Sequence, residues 1–121
     1  MKLVSLVMVG FGSVGRAFAR LIERKESELE AQGLQFIVTG ITTGRHGAAI
    51  DPAGLPLRRA IELVERGEKL DSLSSQPAPQ IATEFIYACP GQVLLENTPV
   101  NHHTGEPAVT HLRTGLQKGL H

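Results

Sequence analysis

Near the amino terminus, Gly10-Phe11-Gly12-Ser13-Val14-Gly15 sets three glycines at the spacing G-x-G-x-x-G. Alone the pattern is weak, because glycine-rich turns are common. Its setting gives it chemical meaning. Leu3 to Val9 is a short run rich in Val and Leu, and Val14, Ala17, Phe18, Leu21 and Ile22 then follow helical spacing. A strand, a glycine turn and a helix in that order make a cradle for the pyrophosphate of a dinucleotide. Gly10 lets the chain turn sharply off the strand, Gly12 leaves out a side chain where phosphate must approach the backbone, and Gly15 lets the helix sit close to the sheet. The amides of Ser13, Val14 and Gly15 then face the phosphates, reinforced by the helix dipole. Two other readings keep the same glycines: a tight turn that binds nothing, and the related turn of enzymes that use S-adenosylmethionine.

Gln35 to Ile41 predicts a second strand, and the residues at its end bear on which dinucleotide fits. A site for NAD usually places Asp or Glu there, to accept hydrogen bonds from the ribose hydroxyls. Here Ile41-Thr42-Thr43-Gly44-Arg45-His46 carries no carboxylate. A 2′-phosphate would not be repelled, Thr42 and Thr43 could donate to it, and Arg45 could pair with it. The stretch therefore favours NADP, with NAD as the alternative. The plainer reading of Arg45 is a solvated loop residue. Arg58 and Arg59 could add positive charge, but helix-surface pairs such as Arg58 with Glu62 and Glu62 with Arg66 account for them.

The remaining reactive side chains suggest less. Adjacent His102 and His103 project differently and His111 falls on a helix, so the histidines read as surface groups and no metal site is predicted. Cys89 reads as a packed small side chain. Glu96, at the end of a strand, could be catalytic, but orienting nearby backbone or solvent is the simpler role. Thr98 reads as closing a turn.

These residues need elements to position them. The first helix is expected to reach about Ala31, with Gly33 as its left-handed cap. Thr42 to Gly54 reads as loop. Leu57, Ala60, Ile61 and Val64 mark a helix closed by Gly67, and Ser72 to Pro79 a connection. Ile81 to Cys89 reads as a short helix, and Gln92 to Asn97 as a third strand. Ala108, Val109, Leu112 and Leu116 give a last apolar stripe, with Pro107 in the first turn and Gly119 closing. The order predicts an α/β fold: a Rossmann-like parallel sheet flanked by helices, one domain over residues 1–121.

Composition excludes some partners. Twelve basic and twelve acidic residues are mixed along 121 positions, so no basic stripe suggests nucleic acid. The first nine residues lack the cleavage site of a signal peptide and are too short an apolar run to span a membrane. With one cysteine and no disulfide, the expected location is the cytoplasm.

Three stretches together resemble homoserine dehydrogenase: Gly10 to Phe18; Gly40-Ile41 with Ile50-Asp51-Pro52 and Gly54-Leu55; and Leu94 to Asn101, continuing as Thr104 to Ala108 and Gly115 to His121. The resemblance implies reduction of aspartate semialdehyde to homoserine with NADPH or NADH, on the route to threonine and methionine. It implies that Phe11, Ser13 and Val14 contact the cofactor's phosphates and ribose, and that Thr98 and Pro99 form the turn beside its nicotinamide. Asn97 departs from the small apolar residue common there.

The resemblance also puts an active-site lysine and a substrate and dimerisation domain beyond His121, so no catalytic residue is expected here. A sheet incomplete at the carboxyl end would leave an edge able to form a homo-oligomer. The competing class is a stand-alone nucleotide-sensing module, which usually keeps an acidic residue after the second strand. A methyltransferase is the third reading.

Overall fold

The apolar run at the amino terminus forms β1 (Lys2–Val9), and its last four residues, Leu6 to Val9, are buried. A strand this apolar must be covered on both faces, which is the condition of a central parallel strand. The computed structural model describes residues 1–121. After β1 come α1 (Ser13–Arg24), α2 (Glu26–Ala31), β2 (Leu34–Thr42), β3 (Ala48–Ile50) and α3 (Leu57–Glu65). A 3-10 turn at Leu70–Leu73 leads to α4 (Ala82–Ala88), β4 (Val93–Glu96) and α5 (Ala108–Lys118). The sheet order is β3-β2-β1-β4, and β1 runs parallel to both neighbours.

Side chains alternate across this sheet. Leu6 and Met8 pack with Val38 and Ile41 under Ala19 of α1 and Ala60, Ile61 and Val64 of α3. Val7 faces the other way, against Phe85 and Cys89 at α4, and Val9 packs with Ile86 and Leu120. Helices thus cover both faces, as the α/β reading requires.

Four expectations are corrected. The sheet is mixed, because the stretch read as loop contains β3, antiparallel to β2. The chain reverses between Thr43 and Gly47, where Gly47 sits at φ +71°, and buries Ala48, Ala49 and Ile50. The first helix breaks at Lys25, and the separate α2 packs against β2. The pairs Arg58 with Glu62 and Glu62 with Arg66 do not form: Arg59 reaches Glu62 at 3.4 Å, Arg58 lies 4.0 Å from Glu23, and Arg20 binds Glu65 at 2.6 Å. Glu62 is taken by Arg59 on its own helix, and packing of α1 against α3 brings Glu23 to Arg58 and Arg20 to Glu65.

The fourth correction concerns α5. Its expected stripe faces outward: Val109, Leu112 and Leu116 are 39%, 45% and 71% exposed, while His111, Thr114 and Gly115 are buried. Gly115 explains the choice, since a Cβ there would stand 2.9 Å from Leu94 Cδ2. Only this side of the helix can approach β4 so closely. Lys118 holds the same orientation by donating from Nζ to Ile86 O at 2.8 Å and to Cys89 O, carbonyls at the end of α4. Burial lowers the Lys118 pKa and raises that of Cys89 to about 11, so Cys89 is a packed thiol. Gly119 caps α5 at φ +95°, and His121 joins β4 through Leu94 N–H to His121 O (2.8 Å) and His121 N–H to Gln92 O (2.9 Å).

Candidate functional site

A cleft of about 880 Å³ lies across the carboxyl ends of β1, β2 and β4. This is where open α/β sheets hold ligands, because strand ends and helix starts diverge there. Every residue singled out for cofactor binding borders it except Gly15. Gly10, Phe11, Gly12, Ser13 and Val14 form one wall, Thr42, Thr43 and Arg45 a second, and Thr98 and Pro99 a third. The fold brings together three segments that are far apart in sequence.

The first wall is the glycine turn. Gly10 adopts φ +97°, and a Cβ there would meet Asn97 Oδ1 at 2.8 Å. Gly15 lies beneath the turn; its Cβ would stand 2.9 Å from the same oxygen and 3.1 Å from Gly10 O. Nothing lies within 4 Å of a Cβ built at Gly12, which opens into the cleft. The three glycines thus divide their work: two allow the turn to close on Asn97, and one leaves the backbone bare to an incoming group.

The amides of Ser13, Val14 and Gly15 find no acceptor within the chain, and the first turn of α1 carries no acidic residue. Unpaired N–H groups and the positive end of the helix dipole suit an anion. Arg16, which the sequence reading passed over, also borders the cleft. Its Nε donates to Gly12 O at 3.2 Å, and its guanidinium lies 3.9 Å from Glu65. A pyrophosphate therefore fits this wall on both shape and charge.

At the end of β2 the predicted residues divide. Thr43 Oγ1 donates to Gly47 O at 2.8 Å and accepts the His46 N–H at 2.7 Å. Its single proton is committed to the turn before β3, so the donation expected from Thr43 to a ligand is not available. The Thr42 hydroxyl has no partner in the chain, and the exposed Arg45 forms no ion pair. Arg45 is thus an exposed cation on the rim with no ion pair, while the Asp71 carboxylate lies against Gly47 of the same turn.

The third wall holds a buried polar cluster that the sequence reading saw only in part. The Glu96 side chain is 7% exposed. Its Oε1 accepts the Thr98 N–H at 2.7 Å and the Thr98 hydroxyl at 2.5 Å, and Oε2 lies 2.5 Å from His111 Nδ1. Glu96 therefore orients backbone, as expected, and Thr98 closes the turn. His111, read as a surface histidine, is buried and borders the cleft. The missed signal was spacing: His111, Thr114, Gly115 and Lys118 share one helical face. Asn97 Oδ1 is sealed against the glycine turn with no hydrogen-bond partner.

No group of three or more His, Cys, Asp and Glu is arranged to hold a metal ion. No helix is long and apolar enough to cross a membrane. No protein-family model matches the chain. Among curated proteins it is 32% identical over 118 residues to homoserine dehydrogenase of Methanocaldococcus jannaschii, covering 98% of this chain and 35% of that protein. It is 27% identical over 117 residues to an NAD(+)-dependent homoserine dehydrogenase of Pseudomonas canavaninivorans, covering 96% of the chain and 33% of the relative. Among solved structures, a hyperthermophilic archaeal homoserine dehydrogenase in complex with NADPH superposes with a TM-score of 0.75 at 23% identity, over 98% of this chain and 34% of that one. The chain thus resembles homoserine dehydrogenases over nearly all of its own length and spans about a third of theirs. The Rossmann-like α/β fold is the one they share.

Proposed function

We propose that the chain binds a nicotinamide dinucleotide in this cleft, with NADPH preferred to NADH, as the cofactor-binding part of a homoserine dehydrogenase. The observation that carries the reading is the single continuous cleft joining the free amides of α1 to the ends of β2 and β4. The dinucleotide would supply hydride chemistry to aspartate semialdehyde. This chain's residues bind and orient it. Ser13, Val14 and Gly15 receive the pyrophosphate on their amides, Thr42 and Arg45 take the ribose with its 2′-phosphate, and Thr98 and Pro99 border the other half.

On this reading the protein works in the cytoplasm, on the route to threonine and methionine. Residues 1–121 supply binding rather than turnover, because the lysines that the resemblance assigns to the reaction are not among them. Calorimetric titration with NADPH, NADH and S-adenosylmethionine tests the proposal. Saturable NADPH binding, tighter than NADH, is the expected result. R45A should weaken NADPH roughly tenfold, the worth of one charge-assisted contact, and leave NADH unchanged. Failure of NADPH to bind, or equal losses for both cofactors, would overturn the assignment.

A further inference from the structure

His111 is a buried, cleft-facing base that the dinucleotide reading does not yet use. Three donors converge on the Glu96 carboxylate: the Thr98 amide, the Thr98 hydroxyl and His111 Nδ1. A carboxylate accepting from all three puts a proton on Nδ1, which in the uncharged tautomer is the ring's one proton. Nε2 is then left bare, as an acceptor. It has no partner within the chain, yet it is not sealed, since Asn97 Oδ1 is the one buried side-chain polar atom without a partner. His111 is among the residues that line the cleft, with Thr98, Pro99 and Pro107.

The rest of the cleft says what would meet it. An anion belongs at the start of α1, and a phosphorylated ribose at the end of β2, beside Arg45. A dinucleotide held at those two points has its other half directed to the third wall, where His111 stands. The polar groups nearest the pyrophosphate on that half are the hydroxyls of its ribose. We propose that His111 Nε2 accepts a hydrogen bond from a hydroxyl of the nicotinamide-side ribose, and that Glu96 fixes the tautomer and ring orientation that make this available. The inference rests on the dinucleotide reading and adds to it a residue that selects for the complete dinucleotide over its adenosine half.

The test compares two probes, NADPH and adenosine 2′,5′-bisphosphate, which has the phosphorylated ribose but no second ribose. H111N keeps an amide where Nδ1 meets Glu96 and removes the group at Nε2, whereas H111Q returns a polar atom near the Nε2 position. H111N should weaken NADPH roughly fivefold, the loss of one hydrogen bond, with bisphosphate affinity unchanged. H111Q should restore NADPH binding to within about twofold of the wild type. Equal losses for both probes, or none for either, would overturn the proposal.

A second measurement needs no stable variant. In the wild-type chain the His111 Nε2 nitrogen resonance should move on addition of NADPH and stay still with the bisphosphate. Movement with both probes, or with neither, counts against the contact. If the bisphosphate binds and NADPH gains nothing over it, the ribose contact fails while the phosphate sites stand. If neither probe binds, the dinucleotide reading itself fails.

Discussion

Replacing Gly15 with alanine sets two effects of opposite sign against each other, and the geometry decides between them. Alanine is better than glycine by up to ~1 kcal/mol in a helix, the full figure applying to interior positions, so G15A in the first turn of α1 would be mildly stabilising if space allowed. Space does not allow it. The new Cβ would stand 2.9 Å from Asn97 Oδ1, 3.1 Å from Gly10 O and 3.4 Å from Met8 Cε. Overpacking of this kind costs ~1–3 kcal/mol, because one neighbour is a side chain wedged under a turn and another is backbone. The net expectation for G15A is a loss of about 1 kcal/mol. The second half of the cycle tests the cause. N97A removes the tightest contact and also a sealed acceptor with no partner, a feature that costs ~1–3 kcal/mol in the native protein. In the N97A background G15A should therefore cost nothing or stabilise slightly. The coupling between the two positions should be about 1–2 kcal/mol. Urea denaturation followed by circular dichroism, on wild type, both single variants and the double variant, measures this directly. Additive effects would refute the argument, and so would a G15A protein more stable than the wild type.

Three further outcomes are expected. E96Q removes the charge on which the Thr98 amide, the Thr98 hydroxyl and His111 converge, and should lower stability by about 2 kcal/mol in the same denaturation assay; an unchanged midpoint would mean the cluster is not formed. Burial raises the Cys89 pKa from 9.0 to about 11, so its contribution is intact below pH 9 and lost as the pH rises through 11, about 2–3 kcal/mol in all. Lys118 shifts the other way, its lowered pKa returning some stability as the pH climbs toward 10.5, so comparing C89A with wild type across this window isolates the thiol; parallel curves would refute the assignment. L116Q should change stability by less than about 0.5 kcal/mol despite removing a leucine from an apolar stripe, because that side chain is 71% exposed; a loss above 1 kcal/mol would show that this face is covered.

The parts of the fold legible in the sequence were those with their own periodicity. β1 reads as a buried strand because nothing polar interrupts Leu6 to Val9, and α1 begins where the glycine turn requires. β3 was illegible because three residues carry no period, and its burial comes from the reversal that Thr43 and Gly47 build. The orientation of α5 was misread for a different reason. Its apolar stripe is real, but close approach to β4 is decided by Gly115 and by the reach of Lys118 to the end of α4. Volume and a hydrogen-bonded cation outweighed hydropathy. Within the site, the glycine turn and Arg45 could be read one residue at a time. The Glu96–His111 pair could not, since its members are fifteen positions apart and meet only when α5 packs on β4.

One short strand carries much of the cleft's shape. Successive side chains at the end of β4 point to opposite faces of the sheet. Leu95 and Asn97 turn toward α1, where Asn97 fills the space left by Gly10 and Gly15. Leu94 and Glu96 turn toward α4 and α5, where Glu96 takes hold of His111. Thr98 and Pro99 then enter the cleft with their backbone already tied to Glu96. A register slip of one residue would place either the Glu96 carboxylate against the glycine turn or the Asn97 amide against the imidazole, according to its direction. The wall at the glycine turn and the wall at Thr98 and His111 are therefore positioned by the same few residues. A substitution on either face of β4 should disturb dinucleotide binding at both ends of the cleft, even where it touches no ligand.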